Sequence, residues 1–491
     1  MKYNVSKSRY CSAVQCPKIL WLKKNNPDAF DSSVMNKAVL DTGSAVGDLA
    51  MGLFGDYIEV PFGDLGEMIS TTKHLVEART PVIAEASFSV DGLFCSVDIL
   101  KVLDSDEVEL YEVKSSTSVH DIYYHDAAFQ CYVLNRLGYK VKSCNIVHIN
   151  NQYERCGELD IHEFFTVEDI TTGAMLMQRD VATNVDAIRE YMEQTSEPCD
   201  DIGEHCFSPY SCGFFGYCSR NLPTPNIFDV AGARTSTKFK CYRNGIVSFE
   251  DLNTCDLLSG SQYKQIEHEL FDYPPYIDTE SIRGFMKNIS FPLYFLDFES
   301  FQPAIPLYDH SHPFEQIVFQ YSLHYLEHED DELKHKEFLA YPGEDPRRKL
   351  AEQLCADIPL NVCTTAYNMG FEKGRIRGLA EIFPDLRDHL MNIHDHIVDL
   401  MIPFQKKWYY CRAMQGSYSI KYVLPALFPN DPSLDYHNLE GVHNGGEASE
   451  AFAKMATMTE DKIELMREHL LKYCGLDTYA MVKVWEKLKE I

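Results

Sequence analysis

Asp297 and Glu299 have the spacing that most clearly predicts chemistry in this chain. They lie two residues apart in a largely apolar run, residues 291–301. Because neighbouring side chains of a strand alternate between its two faces, a strand here points both carboxylates the same way. Carboxylates that are buried together repel each other and lose hydration, and a divalent metal ion removes both costs. The spacing therefore predicts a metal site.

Two later segments carry side chains that fit such a site. Glu372 ends the sequence Tyr-Asn-Met-Gly-Phe-Glu, in which Asn368 can fix the acidic segment. Tyr473 and Asp477 are four residues apart in a predicted helix, so they share a helix face. The alternative interpretation is that Tyr473 is a core residue and that Glu372 is a surface residue. The order of the pieces along the chain favours one common site.

An Asp-x-Glu strand, an Asn-x-x-Phe-acid segment and a Tyr-x-x-x-Asp helix, in this order, resemble the Tyr-containing subgroup of the DEDD superfamily of 3′→5′ exonucleases. The resemblance implies a ribonuclease H-like fold and phosphodiester hydrolysis with Mg²⁺ or Mn²⁺ ions that clamp the phosphate. It assigns as metal ligands Asp297, Glu299, Glu372 and Asp477. Tyr473 would orient the attacking water. Glu372 stands where the superfamily usually has Asp, so a longer side chain must reach the metal.

A second acidic group precedes this one in the chain. Asp98 lies in a predicted strand, and Glu112 and Lys114 share one face of the next strand. A solvated hairpin face often has this composition. The set also resembles the core of a PD-(D/E)XK nuclease, which implies that Asp98 and Glu112 hold Mg²⁺ or Mn²⁺. Lys114 would orient the water and offset charge on the phosphate, and Gln130 on the next helix would support the site.

Three cysteines recur at a regular spacing after this core: Cys206, Cys212 and Cys218. With Cys16 near the N-terminus and the Asp…Glu-x-Lys core, they resemble the iron–sulfur RecB-like nucleases, which include a CRISPR-associated family. The resemblance implies a 4Fe–4S cluster held by all four cysteines, with Cys11 as a competitor of Cys16. A zinc site stays open as the alternative, although zinc ligands usually come in pairs two to four residues apart.

One position departs from this family's pattern. The family commonly has a His in its first helix, and Gly47 stands there in this chain. Asp48 is adjacent and Glu85 lies on an early strand, but neither is an evident replacement. The sequence therefore leaves open whether the first site is active.

The predicted elements give an α/β fold class with two catalytic modules. We expect a PD-(D/E)XK domain with a mixed sheet over 1–220, a connector over 221–285 and a ribonuclease H-like domain over 286–491. The predicted helices cover 42–54, 121–137 and 261–271. The predicted strands cover 81–89, 93–103, 107–116, 141–150, 292–297, 316–327 and 336–340.

Composition restricts the partners and the compartment. The 491 residues carry a formal net charge of −29, which argues against broad nonspecific coating of nucleic acid and predicts salt-sensitive binding to duplex DNA. No apolar run of membrane-spanning length and no signal peptide are visible, so we expect a cytoplasmic protein with no membrane partner. Sixteen cysteines in such a compartment do not predict a disulfide framework.

The whole chain resembles a bacterial family that fuses these two modules. We expect a metal-dependent nuclease that processes DNA ends or single-stranded DNA with free 3′ ends, in repair or in defence against foreign DNA. RNA is an alternative substrate, and the sequence does not identify a protein partner. The rival hypotheses are a nucleic-acid-binding or regulatory protein with degenerate sites and a zinc-stapled scaffold. Residues 405–412 mix cations with aromatics, which fits either a guide for a single strand or an ordinary amphipathic element.

Overall fold

The computed structural model describes residues 4–34 and 37–491, with side chains described outside residues 37–40. The chain divides into two compact units. Unit 1 comprises Met1–Asn221 and Pro303–Glu315, and unit 2 comprises Leu222–Gln302 and Gln316–Ile491. Both contain helices and a mixed sheet, which confirms the predicted α/β class. Within the described residues, no helix combines the length and the apolar character needed to cross a membrane.

A seven-stranded sheet forms the centre of unit 1. Its strands are β1 (Val5–Ser6), β2 (Ile58–Glu59), β3 (Val82–Val90), β4 (Leu93–Val102), β5 (Glu107–Lys114), β6 (Lys140–Ile149) and β7 (Phe165–Asp169). The order is β2-β3-β4-β5-β6-β7, and β1 pairs in parallel with β4. Strands β3, β4 and β5 form an antiparallel meander, and β6 runs parallel to β5. The sequence predicts β3 to β6 to within two residues at either end.

Nine helices complete the described part of unit 1. They are α1 (Lys7–Gln15), α2 (Lys18–Asn25), α3 (Lys37–Met51), α4 (Leu65–Glu77), α5 (Asp121–Arg136), α6 (Ile161–Phe164), α7 (Thr171–Leu176), α8 (Gln178–Tyr191) and α9 (Phe215–Cys218). Helix α5 buries one face that includes Asp126 and Gln130, one turn apart. Strand β4 alternates buried apolar residues with half-buried ones such as Asp98. Polar side chains are therefore directed into the space between α5 and the sheet.

Residues 303–315 belong to unit 1 although they connect two strands of unit 2. The backbone N–H of His310 donates to the Arg155 carbonyl at 2.8 Å, and that of Arg155 donates to the Ser311 carbonyl at 3.1 Å. The Asp309 carboxylate accepts the Gly157 N–H at 2.8 Å. This paired backbone fixes the segment on unit 1.

A five-stranded sheet forms the centre of unit 2, which also contains a separate two-stranded sheet. The strands are β8 (Tyr276–Ile277), β9 (Leu293–Phe301), β10 (Ile317–Leu326), β11 (Lys334–Leu339), β12 (Cys363–Ala366), β13 (Ile397–Asp399) and β14 (Tyr409–Tyr410). The order is β11-β10-β9-β12-β13, and β14 pairs with β8. Strands β9, β10 and β11 are antiparallel, whereas β12 runs parallel to β9 and β13 parallel to β12.

The helices of unit 2 are α10 (Thr235–Arg243), α11 (Phe249–Leu252), α12 (Gly260–Phe271), α13 (Thr279–Met286), α14 (Arg347–Asp357), α15 (Gly370–Ile382), α16 (Arg387–Asp395), α17 (Ile402–Gln405), α18 (Ile420–Leu427), α19 (Gly445–Met455) and α20 (Glu460–Lys489). Helix α20 packs on β9 and β10. Glu460 and Asp461 in its first turn and Lys487 and Lys489 in its last turn complement the helix dipole.

The sequence predicts a connector over 221–285, whereas the structure folds these residues into unit 2. They form α10, α11 and α12 around a small apolar core of their own, with Ile227, Phe249 and Ile266 fully or almost fully buried. This core explains the difference, because a linker buries no such cluster.

Candidate metal sites

Strand β9 places Asp297 and Glu299 in the middle of unit 2. One carboxylate oxygen from each and the Cys474 sulfur all lie within 4.8 Å of one another. Glu299 is buried and Asp297 is half-buried. The predicted pair of carboxylates therefore converges, as the i and i+2 spacing requires.

Helix α20 adds Asp477 and Tyr473 to this group. Both are buried, and they lie one helical turn apart. The charge of Asp477 adds to burial in raising the pKa of the Tyr473 hydroxyl, so the two side chains lie near each other. Helix α20 is anchored next to β9 by Cys474, whose sulfur lies 3.8 Å from Oδ2 of Asp297. Strand and helix thus bring three carboxylates and one phenol into one region, in which Asp297, Glu299 and Cys474 are the described residues whose ligand atoms all lie within 4.8 Å of one another.

Glu372 completes the predicted set from the first turn of α15. Its side chain is only 2% exposed. Its Oε2 atom has no hydrogen-bond partner among the described residues. Its charge contributes to the raised pKa of Asp297 and of Glu299. A buried carboxylate oxygen without a donor is costly, so this atom is suited to a cation.

The electrostatics of this group follow from burial. Burial raises the pKa of Asp297 well above its usual value, and the charge of Asp477 adds to the rise. Burial and Asp477 also raise the pKa of Glu299 well above its usual value. Burial raises the pKa of Asp477 to about 6 and that of Glu372 to about 8. Lys421 lowers the pKa of Glu299 and Asp477 but does not offset burial. The four carboxylates therefore cannot all be ionised at neutral pH without added positive charge.

Sequence reasoning missed two residues that support this group. The Tyr436 hydroxyl donates to Oδ1 of Asp477 at 2.7 Å, from a short turn that has no periodic pattern. Asp399 at the end of β13 accepts the backbone N–H groups of Asn368 at 3.0 Å and Met401 at 2.9 Å. Asp399 thus holds the segment that begins α15. Its sequence signal is weak, namely an acid at the end of a short apolar strand.

A cavity of about 1000 Å³ opens beside these residues in unit 2. Its walls include Tyr436, Lys421, Phe428, His443 and Asn444. The exposed Lys421 lies on α18. An aromatic ring, a cation and polar groups next to buried carboxylates suit an anionic ligand with a flat ring.

Residues 405–412 do not line an open groove. Tyr409 and Tyr410 are buried in β14, and the Lys407 ammonium donates to the Gly416 carbonyl at 2.7 Å. Arg412 forms an ion pair with Glu269 at 2.8 Å. Of the two interpretations of this segment, the packing favours an ordinary amphipathic element, because its tyrosine rings and its buried lysine are used in packing.

Unit 1 brings together the residues of its predicted site. The Lys114 ammonium lies 2.7 Å from Oε1 of Glu112. Gln130 donates from Nε2 to Oε2 of Glu112 at 2.6 Å. Oδ2 of Asp98 accepts the backbone N–H of Val113 at 2.7 Å. The strand pairing of β4 with β5 and the packing of α5 thus place the four predicted residues in one group.

Two lysines offset most of the negative charge of this group, in contrast to the group in unit 2. Lys7 on α1 lies 2.8 Å from Oε1 of Glu112. Burial opposes ionisation of Glu112, but Lys114 and Lys7 outweigh it and hold the pKa of Glu112 well below its usual value. Burial and the charge of Glu112 raise the pKa of Asp98 to about 7. The sequence did not single out Lys7, because it precedes every recognisable motif.

Gly47 lies on α3, and a Cβ atom built on it would meet nothing within 4 Å. Glu85 on β3 has a φ of +56°, a backbone conformation that residues other than Gly rarely adopt. Burial raises the pKa of Glu85, and the charges of Glu112 and Asp48 add to the rise. Glu85 therefore lies near the carboxylates of unit 1, although no hydrogen bond joins it to them among the described residues.

The four predicted cysteine ligands line one cavity in unit 1, namely Cys16, Cys206, Cys212 and Cys218. Cys16 ends α1 and Cys218 ends α9, so the cavity joins the two ends of the 1–221 segment. Cys11 does not line it. The thiol of Cys11 lies toward Asp126, whose charge adds to the effect of burial in raising the pKa of that thiol. The geometry therefore favours Cys16 over Cys11 in this group.

The raised pKa of Glu372 predicts how stability depends on pH. Its value is about 8 in the folded protein and about 4.3 in an unfolded chain, so between these values the folded state binds more protons. Stability must then fall as pH rises from about 4 to about 8. Glu372→Gln mimics the protonated form. In metal-free protein at pH 8.5 it should raise the free energy of unfolding by a few kcal/mol, with little effect at pH 4.5.

Chemical unfolding in EDTA at the two pH values measures this difference. Glu381→Gln is the matched control, since Glu381 is exposed on the same helix. Equal stability of Glu372→Gln and wild type at pH 8.5 would show that Glu372 is not a strained buried acid.

Comparisons with known proteins give a limited match. Residues 294–419 match a family described as a domain of unknown function, DUF2779. This range contains Asp297, Glu299 and Glu372 but ends before Tyr473 and Asp477. The uncharacterized protein UU173 of Ureaplasma parvum serovar 3 is 28% identical over 229 residues, which cover 42% of this chain and 32% of that protein. The chain therefore spans about a third of the length of this relative. No solved structure matches the chain.

Proposed function

We propose that unit 2 is a Mg²⁺- or Mn²⁺-dependent 3′→5′ exonuclease that acts on single-stranded DNA or on DNA with free 3′ ends. The observation that carries the proposal is the buried group of Asp297, Glu299, Glu372 and Asp477, whose pKa values are all raised. Oxygen ligands of this kind suit hard divalent cations. A metal-dependent phosphodiesterase needs such a group, whereas a structural core does not.

The sheet of unit 2 supports the same proposal. A ribonuclease H-like exonuclease is expected to have a meander of three antiparallel strands that continues into parallel strands. The order β11-β10-β9-β12-β13, with β10 antiparallel to both of its neighbours, agrees with this expectation. Asp297 and Glu299 then lie on the central strand.

The side chains of unit 2 divide the catalytic work. The four carboxylates would hold divalent cations, which supply positive charge to the scissile phosphate. Tyr473, one helical turn before Asp477 on α20, would hold the attacking water. Lys421 on the cavity wall would contact a phosphate, and Phe428 offers a ring to a base. Tyr436 fixes the orientation of Asp477.

A second nuclease site in unit 1 is favoured by the contacts of Asp98, Glu112, Lys114 and Gln130. We propose that it is of the PD-(D/E)XK type, with Asp98 and Glu112 as metal ligands. Lys114 would orient water and offset charge on the phosphate. Its substrate would again be DNA, with RNA as the alternative for both units.

The cysteine group of unit 1 supports a 4Fe–4S cluster. Cys16, Cys206, Cys212 and Cys218 line one cavity. Zinc ligands usually come in pairs two to four residues apart, a spacing that Cys206, Cys212 and Cys218 do not have. We therefore prefer iron–sulfur to zinc, and expect the cluster to fasten the ends of unit 1 together.

The exonuclease proposal predicts a metal-dependent, stepwise loss of nucleotides from a free 3′ end. On 5′-labelled single-stranded DNA, Asp297→Ala should lower the rate at least about 100-fold. Tyr473→Phe should lower it about tenfold, the effect of one lost hydrogen bond to the water. Glu372→Asp should retain activity, because the shorter acid is still a ligand. The exposed Glu381→Gln serves as the control and should match wild type.

A strand with a chemically blocked 3′ end should resist digestion. Equal degradation of blocked and free strands, with full activity in Asp297→Ala, would contradict the exonuclease proposal. Complete inactivity of the wild type with either metal, together with retained DNA binding, would favour a regulatory protein with degenerate sites.

For unit 1, the second site predicts residual DNA cleavage in the Asp297→Ala protein. Adding Asp98→Ala or Lys114→Ala should abolish this remaining cleavage without unfolding the chain. Loss of all cleavage in Asp297→Ala alone would show that the first site is degenerate, and we would attribute this to Gly47 in place of the expected His.

The cluster predicts brown protein after anaerobic purification, with about four iron and four sulfide per chain. Cys212→Ser should bleach the colour and lower the thermal stability of unit 1, because metal ligation and folding are coupled. Cys156→Ser, at an exposed cysteine, should change neither property. Stoichiometric zinc without iron would contradict the assignment.

A further inference from the structure

Lys7 and Asp126 point into the group of Asp98, Glu112 and Lys114, although neither belongs to the recognised motif. We infer that Asp126 is a third carboxylate ligand of the metal site in unit 1, and that a divalent cation binds there by displacing the Lys7 ammonium. This inference rests on the proposed nuclease function of unit 1.

The position of Lys7 identifies where a cation belongs. Its ammonium nitrogen lies 2.8 Å from Oε1 of Glu112 and 3.8 Å from both Oδ1 of Asp98 and Oδ1 of Asp126. Three carboxylates from β4, β5 and α5 thus surround one positive charge. Divalent cations bind oxygen ligands at about 2.0–2.6 Å. A modest inward movement of the three side chains would therefore convert an ammonium site into a metal site.

Asp126 is held in the orientation that a ligand needs. The Lys114 ammonium lies 2.6 Å from its Oδ2, and Gln130 donates to its Oδ1 at 3.0 Å. Gln130 donates through the same nitrogen to Glu112 at 2.6 Å, so it ties the two acids together. Asp126 is buried, at 8% exposure. Because Gly47 stands where the family commonly has a His, the motif lacks one ligand. Asp126 would provide a ligand from a different helix.

Charge neutrality favours the exchange. Asp98, Glu112 and Asp126 carry three negative charges, and Lys7 with Lys114 carries two positive charges, so the group is left with one net negative charge. If a divalent cation replaces Lys7 while Lys114 stays, the group becomes neutral. Neutral groups are much less costly to bury. Lys7 is about 20% exposed, so its side chain can move outward.

The alternative is a purely structural ion-pair network in which Lys7 fastens α1 to the sheet. The two accounts differ in how Mn²⁺ affinity responds to Lys7. A competitor that is removed makes the metal bind more tightly, whereas a structural anchor that is removed leaves the affinity unchanged or lowers it.

The test is a titration with Mn²⁺, followed by electron paramagnetic resonance of the free ion, on the full chain carrying Asp297→Ala and Asp477→Ala to disable unit 2. In this background Asp126→Asn should weaken Mn²⁺ binding at least about tenfold, and Lys7→Met should tighten it about tenfold. Asp126→Glu keeps the carboxylate and should keep the binding. The matched controls are the exposed Asp121→Asn on α5 and the exposed Lys24→Met on α2, which should match the background.

Each contrary result has a separate meaning. If Asp98→Asn abolishes Mn²⁺ binding while Asp126→Asn leaves it intact, the inference is overturned and the nuclease proposal for unit 1 stands. If Lys7→Met does not bind more tightly than the background, displacement of Lys7 is overturned. If neither the background nor Lys7→Met binds Mn²⁺, the inference fails together with the proposed metal site of unit 1.

Discussion

The cost of burying several carboxylates in one place determines how unit 2 is built. Asp297 and Glu299 lie on the central strand of the sheet, and α20 and α15 bring Asp477 and Glu372 to them. Each acid has a raised pKa, chiefly because burial removes its hydration, and the charges of Asp477 and Glu372 add to the rise for Asp297 and Glu299. Positive charge brought by a divalent cation would lower this cost.

Unit 1 meets the same difficulty in a different way. Its carboxylates share the ammonium groups of Lys7 and Lys114, so the pKa of Glu112 lies below its usual value while that of Asp98 is raised to about 7. The group is nearly neutral by itself, and a metal must compete with an internal cation. In unit 2, Lys421 lowers the pKa of Glu299 and Asp477 and Arg375 lowers that of Glu372, but neither offsets burial. The carboxylates of the proposed site in unit 2 should therefore need a bound metal ion more than those of the proposed site in unit 1.

The parts that could be predicted from the sequence are those encoded by local patterns. Alternating apolar residues define β3, β4 and β5, and the apolar run with Asp297 and Glu299 defines β9. Contacts between distant segments leave no such pattern. Lys7 reaches Glu112 from the first helix, Tyr436 reaches Asp477 from a turn, and the small core over 221–285 forms from short helices. For the aromatic segment 405–412 the sequence left two interpretations open, because composition does not reveal which rings are buried.

The central claim is that the four carboxylates of unit 2 form a site for divalent cations. The most direct test is a crystal structure of the full chain with saturating Mn²⁺, using the anomalous scattering of manganese to locate the ions. The account predicts anomalous peaks at ligand distance from Asp297, Glu299 and Asp477, with Glu372 turned toward them. Well-ordered carboxylates without any manganese at saturating concentration would contradict it.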